Sequence, residues 1–414
     1  MSGNDISPQP TPPSNERVNL RRPDIMEDVQ SQVESHYRSQ LIQKIRAAGS
    51  VIHAPGLTIR LAKEFGFCYG VERAINLAYA SRKVYPDQPI YILGEIIHNP
   101  DVNDHLRKMG IQFLSGKEKT ADIADLKSGD IVIIPAFGTE IATMEILKAK
   151  GCRFVDTTCG DVMSVWKRVR QYASENFTSL IHGKAWHEET LATSSRAMAH
   201  GAGHYLVVFT LEDTDFICDY ILNGGDKEVF LEKFKGACSP GFDPDVHLEA
   251  IGVANQTTML RNETEEFQRK LKSAMVKKYG EENIEKHFKR FDTICGATQE
   301  RQNALRAMLK EPPDLLLVLG GYNSSNTSHL AEMGEAILPT YFIKGAEEII
   351  STELIRHYDF HVKSEIETSP WLPADKKTIT IGITAGASCP NNIIENTILR
   401  LGELKNLKIE DYIP

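Results

Sequence analysis

The chain has 414 residues, 41% of them hydrophobic and 25% charged, a composition that supports large folded domains and excludes global disorder. Its formal net charge of −9 argues against a general nucleic-acid binder. No apolar run approaches the roughly 18 residues that a membrane span needs, so we expect no membrane partner. At about 150 residues per domain, the length predicts two or three domains.

The N-terminal 56 residues differ in character from the rest of the chain. Residues 1–24 are rich in Pro, Ser and Asn, which is typical of a disordered segment. Residues 26–48 carry apolar side chains four apart and are followed by Gly49, a pattern that predicts one helix. We treat residues 1–56 as an N-terminal extension. It lacks a secretory-type apolar segment, so we expect a cytoplasmic protein, or one in the plastid stroma if the source is a plant or alga.

From residue 57 onward, short apolar strands alternate with helical stretches, which predicts an α/β fold with mainly parallel sheets. The predicted strands span residues 58–62, 90–94, 131–135, 180–183, 205–209, 250–254, 315–320, 336–339 and 378–383. We divide this part into similar α/β domains at 57–159, 160–294 and 295–414, with the irregular residues 210–249 as an insertion in the second. Ligands of such sheets bind at the carboxyl ends of the strands, so the residues there are the functional candidates.

Three of the seven cysteines occur in similar local contexts. Cys68 lies in GFCYGV, Cys159 in DTTCGDV and Cys295 in DTICGATQ, and a helical stretch follows each one, which indicates a degenerate threefold repeat. A helix N-terminus stabilises a thiolate, the form that binds metals. If the domains surround a pseudo-threefold axis, the three sulfurs converge and leave one metal position open, as in a cluster with one accessible iron. The alternative is that they are small buried structural residues.

Polar side chains follow several other predicted strands. His98 comes after one strand, and His187 and Glu189 begin a helix after another. The remaining groups in such places are Thr257, Ser324, Ser325, Asn326 and Ser388. Hydroxyl, amide and imidazole donors beside helix N-termini are typical of an anion site, although Ser and Asn are also ordinary helix caps. Glu189 is a candidate proton donor.

Together these motifs resemble the 4-hydroxy-3-methylbut-2-enyl diphosphate reductase family, which catalyses the last step of the methylerythritol phosphate isoprenoid pathway. The motifs lie between about residues 57 and 405 and read GFCYGVERAI, IIHNPDV, DTTCGDV, HEET, NQTT, DTICGATQERQ, NSSN and TAGASCP. HEET and the N-terminal extension are similar to the longer subgroup of cyanobacteria and plants.

The resemblance implies three α/β domains around one [4Fe–4S] cluster per chain, ligated by Cys68, Cys159 and Cys295, with the fourth iron binding the substrate hydroxymethyl oxygen. It implies that Glu189 supplies protons and that Thr257 helps to order the substrate alcohol. The residues that would hold the diphosphate are His98, His187, Ser324, Ser325, Asn326 and Ser388. The products would be isopentenyl and dimethylallyl diphosphate.

The same resemblance implies an external one-electron donor, ferredoxin or flavodoxin. Such donors are usually acidic, so we expect a local basic patch despite the net charge of −9. Lys167, Arg168 and Arg170 are the candidates, and the alternative is that they form an ordinary solvated helix face.

One position departs from the family pattern. Many bacterial members have a histidine that contacts the diphosphate where this chain has Phe137, which has no polar group to offer. Either Thr139 or a water replaces that contact, or this pocket binds the diphosphate differently.

Three other functions compete with this interpretation. A quinolinate synthase-type enzyme would also use one cysteine per domain and an open iron, but without net electron input. A zinc hydrolase would combine the three cysteines with a histidine. A non-catalytic anion-binding protein would carry its cysteines for structure alone.

Overall fold

The structure, a computed structural model, describes residues 20–117, 119–198, 203–291 and 293–413. Of the residues 1–24 predicted to be disordered, 1–19 lie outside this part of the chain; for 20–24 the prediction is wrong, because Leu20 is buried in the core of the first unit and a helix begins at Pro23. The helices are α1 (Pro23–Tyr37), α2 (Gln40–Ala47), α3 (Tyr69–Val84), α4 (Pro100–Lys108), α5 (Ile141–Ala149), α6 (Gly160–Ser174), α7 (Glu188–Ala197), α8 (Leu211–Asn223), α9 (Lys227–Lys233), α10 (Pro244–His247), α11 (Arg261–Tyr279), α12 (Ile284–His287), α13 (Gly296–Met308), α14 (Ser325–Glu335) and α15 (Asn391–Leu404).

The strands are β1 (Val51–Ala54), β2 (Leu57–Leu61), β3 (Ile90–Ile92), β4 (Ile111–Phe113), β5 (Ile131–Ile134), β6 (Arg153–Asp156), β7 (Thr178–His182), β8 (Tyr205–Val208), β9 (Ile251–Asn255), β10 (Phe288–Arg290), β11 (Leu315–Leu319), β12 (Thr340–Ile343), β13 (Ile355–Asp359), β14 (Ser364–Thr368) and β15 (Ile379–Ala385). They form three sheets, each with four parallel strands in the same order: β4-β3-β5-β6, β8-β7-β9-β10 and β12-β11-β15-β2. Antiparallel strands β13, β14 and β1 extend the third sheet at its edges. The predicted α/β fold with three similar, mainly parallel units is confirmed.

The chain passes from one unit to the next after the fourth strand of each sheet. β2 of the third sheet leads into α3, whose apolar side chains pack in the core of the first unit. In the same way β6 leads into α6, which packs on β7 and β9, and β10 leads into α13 of the third core. The strand predicted at 58–62 therefore belongs to the third sheet rather than to the domain 57–159, because Ile59 pairs with Ile381 and completes that core. The domain boundaries otherwise stay predictions.

Two of the predicted secondary-structure elements differ from the structure. The single helix predicted over 26–48 is wrong: the chain breaks before Gln40, where the Ser39 hydroxyl accepts the N–H of Ile42 at 2.9 Å and caps a second helix. The break occurs because α1 packs on the first unit and α2 on the third. The strand predicted at 336–339 is also wrong, since Ala336 caps the end of α14 and the strand begins at Thr340.

The segment 210–249, interpreted as an insertion, forms the connection between parallel strands β8 and β9. Such a connection must cross over the sheet, and here α8 and α9 provide it. Ile217 and Phe230 are fully buried in the core of the second unit, so the segment is part of that unit. Among the described residues, no helix has the length and hydropathy needed to cross a bilayer.

Candidate active site

Cys68, Cys159 and Cys295 occupy the same local position in the three units. Each is the N-cap residue of the helix that follows a fourth strand, with extended backbone dihedrals. Each cysteine N–H also donates to a carbonyl in the loop after the adjacent third strand. The three bonds are Cys68 to Ala387 at 3.2 Å, Cys159 to Ala136 at 2.7 Å and Cys295 to Thr257 at 3.1 Å. The repeat read from the sequence thus corresponds to one geometry used three times, at the points where the chain changes unit.

The eleven side chains predicted to form the site all line one cavity between the three units. They are Cys68, His98, Cys159, His187, Glu189, Thr257, Cys295, Ser324, Ser325, Asn326 and Ser388. Among the other lining residues, Asp161 and Thr298 are polar and were not singled out from the sequence. Asp161 stands two residues after Cys159 and its carboxylate pairs with the Cys295 thiol, so its place in CGDV was the available signal.

The surroundings of the sulfurs fit a metal cluster larger than one ion. A Cβ on Gly70 would lie 2.7 Å from Cys159 Sγ and 3.9 Å from Cys68 Sγ, so glycine keeps that space open. A single zinc with thiolate bonds of about 2.3 Å brings its sulfurs to about 3.8 Å from one another. Within the described residues the three sulfurs form no group whose members all lie within 4.8 Å. This spacing disfavours the single-zinc alternative.

Burial also shapes the chemistry of these thiols. It raises the pKa of Cys159 and raises that of Cys295 to about 12, with Asp161 contributing to the latter. Backbone N–H groups of the first helical turns act in the opposite direction on both. Cys159 and Cys295 therefore favour the protonated state until a cation is bound, which couples metal binding to proton release.

Each of the three helices capped by a cysteine carries an arginine. The side chain of that arginine contacts the segment just before another of the three cysteines. Arg73 of α3 donates to the carbonyls of the three residues before Cys159 at 2.9–3.2 Å. Arg301 of α13 donates to the Gly66 carbonyl, two residues before Cys68. Arg168 of α6 places its guanidinium 3.7 Å from the ring centre of Phe291, four residues before Cys295. The three contacts link the units around the sulfurs.

If the three cysteines hold the iron–sulfur cluster that the sequence resemblance implies, Arg73→Met should weaken its retention. Hydrogen bonds from a charged group contribute about 1.5–3 kcal/mol each, so their loss should loosen the segment that carries Cys159. The measurement is iron and sulfide content, and the rate of cluster loss in air, which should rise about tenfold. The matched control is Arg82→Met, because Arg82 makes comparable bonds to carbonyls at the far end of the same helix. Equal loss rates in both variants would contradict the prediction.

Glu189 is a buried acid and the second residue of helix α7. Its carboxylate accepts the N–H of Thr257 at 2.6 Å and the Thr257 hydroxyl at 3.0 Å. Burial raises the pKa of Glu189 to about 7, against the effect of those two hydrogen bonds. A carboxyl group with such a pKa is protonated in a large fraction of molecules near neutral pH, which suits a general acid.

His187 caps α7 and is almost completely buried. Its Nδ1 accepts the N–H of Glu189 at 3.2 Å, so the ring proton lies on Nε2. Burial, with His98 and Lys184 nearby, holds the pKa of His187 well below its usual range, so it is a neutral donor. His98, His187 and Glu188 place three potential ligand atoms within 4.8 Å. A metal there would have to displace the Nε2 proton and the bond to Glu189, whereas an anion would accept that proton.

The N-cap and the first turn of α14 carry the serine and asparagine donors. Ser325 Oγ and Asn326 Nδ2 are buried, and neither has a hydrogen-bond partner within the described chain. Asn326 Oδ1 accepts the N–H of Ala387 at 2.9 Å, which turns the amide NH₂ away from that loop. The Ser388 hydroxyl donates to the His98 carbonyl at 3.2 Å and joins the first and third units. Buried donors without partners at a helix N-terminus fit an oxyanion.

The three basic residues predicted to form a docking patch differ in their exposure to solvent. Lys167 and Arg170 are exposed on α6, whereas Arg168 is half-buried against Phe291. Arg168 therefore contributes to packing, and the other two remain available to a partner.

The chain is similar to a known family along most of its length. The family model described as LytB protein matches residues 59–402. The 4-hydroxy-3-methylbut-2-enyl diphosphate reductase of Gloeobacter violaceus is 48% identical over 385 residues, covering 92% of this chain and 91% of that protein. The protein of the same name from Thermosynechococcus vestitus is 47% identical over 382 residues, covering 92% and 93%.

Two solved structures have a similar fold. One, described as (E)-4-hydroxy-3-methyl-but-2-enyl diphosphate reductase, the terminal enzyme of the non-mevalonate pathway, is 28% identical with a TM-score of 0.50 and covers 83% of this chain and 99% of its own. The other, the E-1-hydroxy-2-methyl-but-2-enyl-4-diphosphate reductase of Plasmodium falciparum, is 24% identical with a TM-score of 0.60, covering 83% and 87%.

Proposed function

We infer that this chain, which belongs to the LytB family of 4-hydroxy-3-methylbut-2-enyl diphosphate reductases, reduces (E)-4-hydroxy-3-methylbut-2-enyl diphosphate to isopentenyl and dimethylallyl diphosphate. It is thus an iron–sulfur oxidoreductase of the last step of the methylerythritol phosphate pathway. This membership displaces the quinolinate synthase-type, zinc hydrolase and non-catalytic alternatives. The observation that carries the proposal is the convergence of three N-cap cysteines and a buried acid on one cavity.

We propose that Cys68, Cys159 and Cys295 hold one [4Fe–4S] cluster. The space beside Gly70, the spread of the sulfurs and the helix N-termini behind them support this ligand set. When bound, such a cluster supplies electrons one at a time and a Lewis-acidic iron for the substrate hydroxyl.

The reaction balances as two electrons and two protons consumed for each water released. The C–O bond of the allylic hydroxyl breaks, one proton leaves with that oxygen as water, and the second adds to the allyl carbon skeleton. Addition at one end gives isopentenyl diphosphate, and addition at the other end gives dimethylallyl diphosphate. The electrons come from an external one-electron donor of the ferredoxin or flavodoxin class.

We propose that Glu189 supplies these protons. It is the buried carboxylic acid of the cavity, and Thr257 fixes both of its oxygens. Thr257 lines the same cavity, so its hydroxyl, bonded to the acid, is available to order the substrate alcohol. The carboxyl regains a proton after each transfer, since its pKa of about 7 lies close to neutral pH.

The diphosphate is held by donors from all three units. They are His98 of the first, His187 of the second, and Ser324, Ser325, Asn326 and Ser388 of the third. With the diphosphate fixed between the units, the hydroxymethyl end is directed towards the cysteines, which is catalysis by positioning. The overall charge of −9 makes this local set of donors necessary for an anionic substrate.

We place the protein in the cytoplasm, or in the plastid stroma of a plant or alga, with the donor protein docking near Lys167 and Arg170. These two cations are exposed on α6, the helix that Cys159 caps.

The direct test is an anaerobic preparation with iron and acid-labile sulfide quantified, and a visible spectrum before and after adding the substrate. We expect about four iron and four sulfide per chain and a substrate-dependent spectral change. Zinc, or iron without sulfide and without a response to substrate, would contradict the proposed cofactor and reaction.

A further inference from the structure

His98 is enclosed by side chains from all three units. Its Nδ1 lies 2.8 Å from the Glu95 carboxylate, and its ring stacks on Phe137 with centres 4.7 Å apart and planes 10° apart. The edge of His187 faces it at 5.2 Å between ring centres. Only 9% of the His98 side chain is exposed, so this arrangement fixes the ring.

The contact with Glu95 determines which His98 nitrogen carries a proton. An ionised carboxylate only accepts hydrogen bonds, so Nδ1–H donates to Glu95 Oε2. The other nitrogen, Nε2, is buried without a hydrogen-bond partner within the described residues, and the residue lines the cavity. A neutral ring with its proton on Nδ1 would present a lone pair to a phosphate oxygen. For Nε2 to donate, the ring must carry both protons, with Glu95 as counter-charge.

Glu95 also connects two units. Its Oε2 accepts Asn323 Nδ2 at 2.7 Å, in addition to the bond from His98. Glu95 and His98 follow β3 of the first unit, whereas Asn323 precedes the donors Ser324 and Ser325 in the third. The Glu95 carboxylate therefore fixes the His98 ring of the first unit and the segment beginning at Asn323 of the third unit relative to each other.

We propose that Glu95 is a positioning residue for the diphosphate, acting through His98 and Asn323, and that Phe137 supports the same ring by stacking. This rests on the proposed function, because it assumes that the anion beside His98 is the substrate diphosphate. It also gives Phe137 a part: its ring stacks on the face of His98 and so fixes the plane of the imidazole. The charged groups that face His98 are Glu95, Glu188 and Glu189, with His187 as the neighbouring titratable ring.

The test measures KM and kcat of the cluster-containing enzyme with a chemical one-electron reductant, and the Kd of inorganic diphosphate. Glu95→Gln is expected to raise KM and that Kd about tenfold, with kcat changed much less, because a charge-assisted hydrogen bond is lost at the diphosphate end only. The matched control is Glu332→Gln. Glu332 also lies 2.8 Å from the Nδ1 of a histidine three residues away, His329, but does not line the cavity.

A double-mutant cycle tests whether Glu95 acts through His98. His98→Gln alone should raise KM, and adding Glu95→Gln to it should add little, because coupled residues are not additive. Full additivity, or a fall in kcat with unchanged KM, would overturn the proposal. Asn323→Ala, which leaves Glu95 in place, should give a smaller rise in KM and covers the case in which Glu95→Gln does not fold. If His98→Gln itself leaves the Kd of diphosphate unchanged, the diphosphate site of the proposed function fails instead.

Discussion

Replacing Glu189 by glutamine is expected to lower kcat at least about 100-fold, the lower range for loss of a general acid. Glutamine keeps the size of the side chain and can still accept the Thr257 N–H, but it cannot deliver a proton. KM should change little, since the Glu189 carboxylate bonds Thr257 and none of the proposed diphosphate donors. The measurement is steady-state turnover with a chemical reductant, together with substrate affinity.

The pH dependence of turnover provides an independent check on Glu189. Burial raises the pKa of this carboxyl to about 7, so the protonated acid prevails below that pH and disappears as the pH rises through it. Wild-type kcat should therefore decline above about pH 7, by about tenfold per unit once the acid is largely ionised. The residual activity of Glu189→Gln should lack this decline.

Glu188→Gln is the matched control, because it makes the same change at the neighbouring side chain, which is 57% exposed. This variant should retain most of its turnover. Near-normal kcat in Glu189→Gln would remove Glu189 from the role of acid.

The second large effect is expected from Cys159→Ser. A serine hydroxyl stays protonated at neutral pH and does not replace a thiolate ligand. Iron and sulfide per chain should fall by more than half, and turnover should be lost. Far-UV circular dichroism should stay unchanged, since Cys159 is at a helix N-cap, a position that serine favours.

Cys218→Ser is the control for this substitution. Cys218 is also half-buried, but it lies on α8 of the second unit, away from the cavity. The Cys218→Ser variant should therefore keep the full iron content. Full iron and sulfide content in Cys159→Ser would contradict the ligand set.

The residues of the candidate site were predictable because their chemistry is local. Cysteine beside glycine at a strand-to-helix loop, and histidine, serine and asparagine after apolar strands, are patterns of a few adjacent residues. The strand-helix alternation predicted parallel sheets whose carboxyl ends carry these groups, and all eleven side chains line one cavity. The family resemblance then supplied roles that spacing alone does not contain.

Other features required the tertiary structure, because they depend on which surface each segment packs against. The apolar stripe of residues 26–48 is continuous, yet α1 and α2 separate because they cover different units. The strand β2 precedes Cys68 by only a few residues but joins the sheet formed by the last third of the chain, through parallel pairing with β15.

The same holds for the groups that tune the site. No sequence pattern places Asn323 against Glu95, 228 positions apart, or identifies Phe137 as the face on which His98 stacks. Nor does it indicate the raised pKa of Glu189, which comes from complete burial between the units. The sequence by itself determined which side chains to expect at one site, because those motifs are local, and they do line one cavity. Only the tertiary structure decided their protonation and mutual orientation, because these depend on desolvation and on partners distant in the chain.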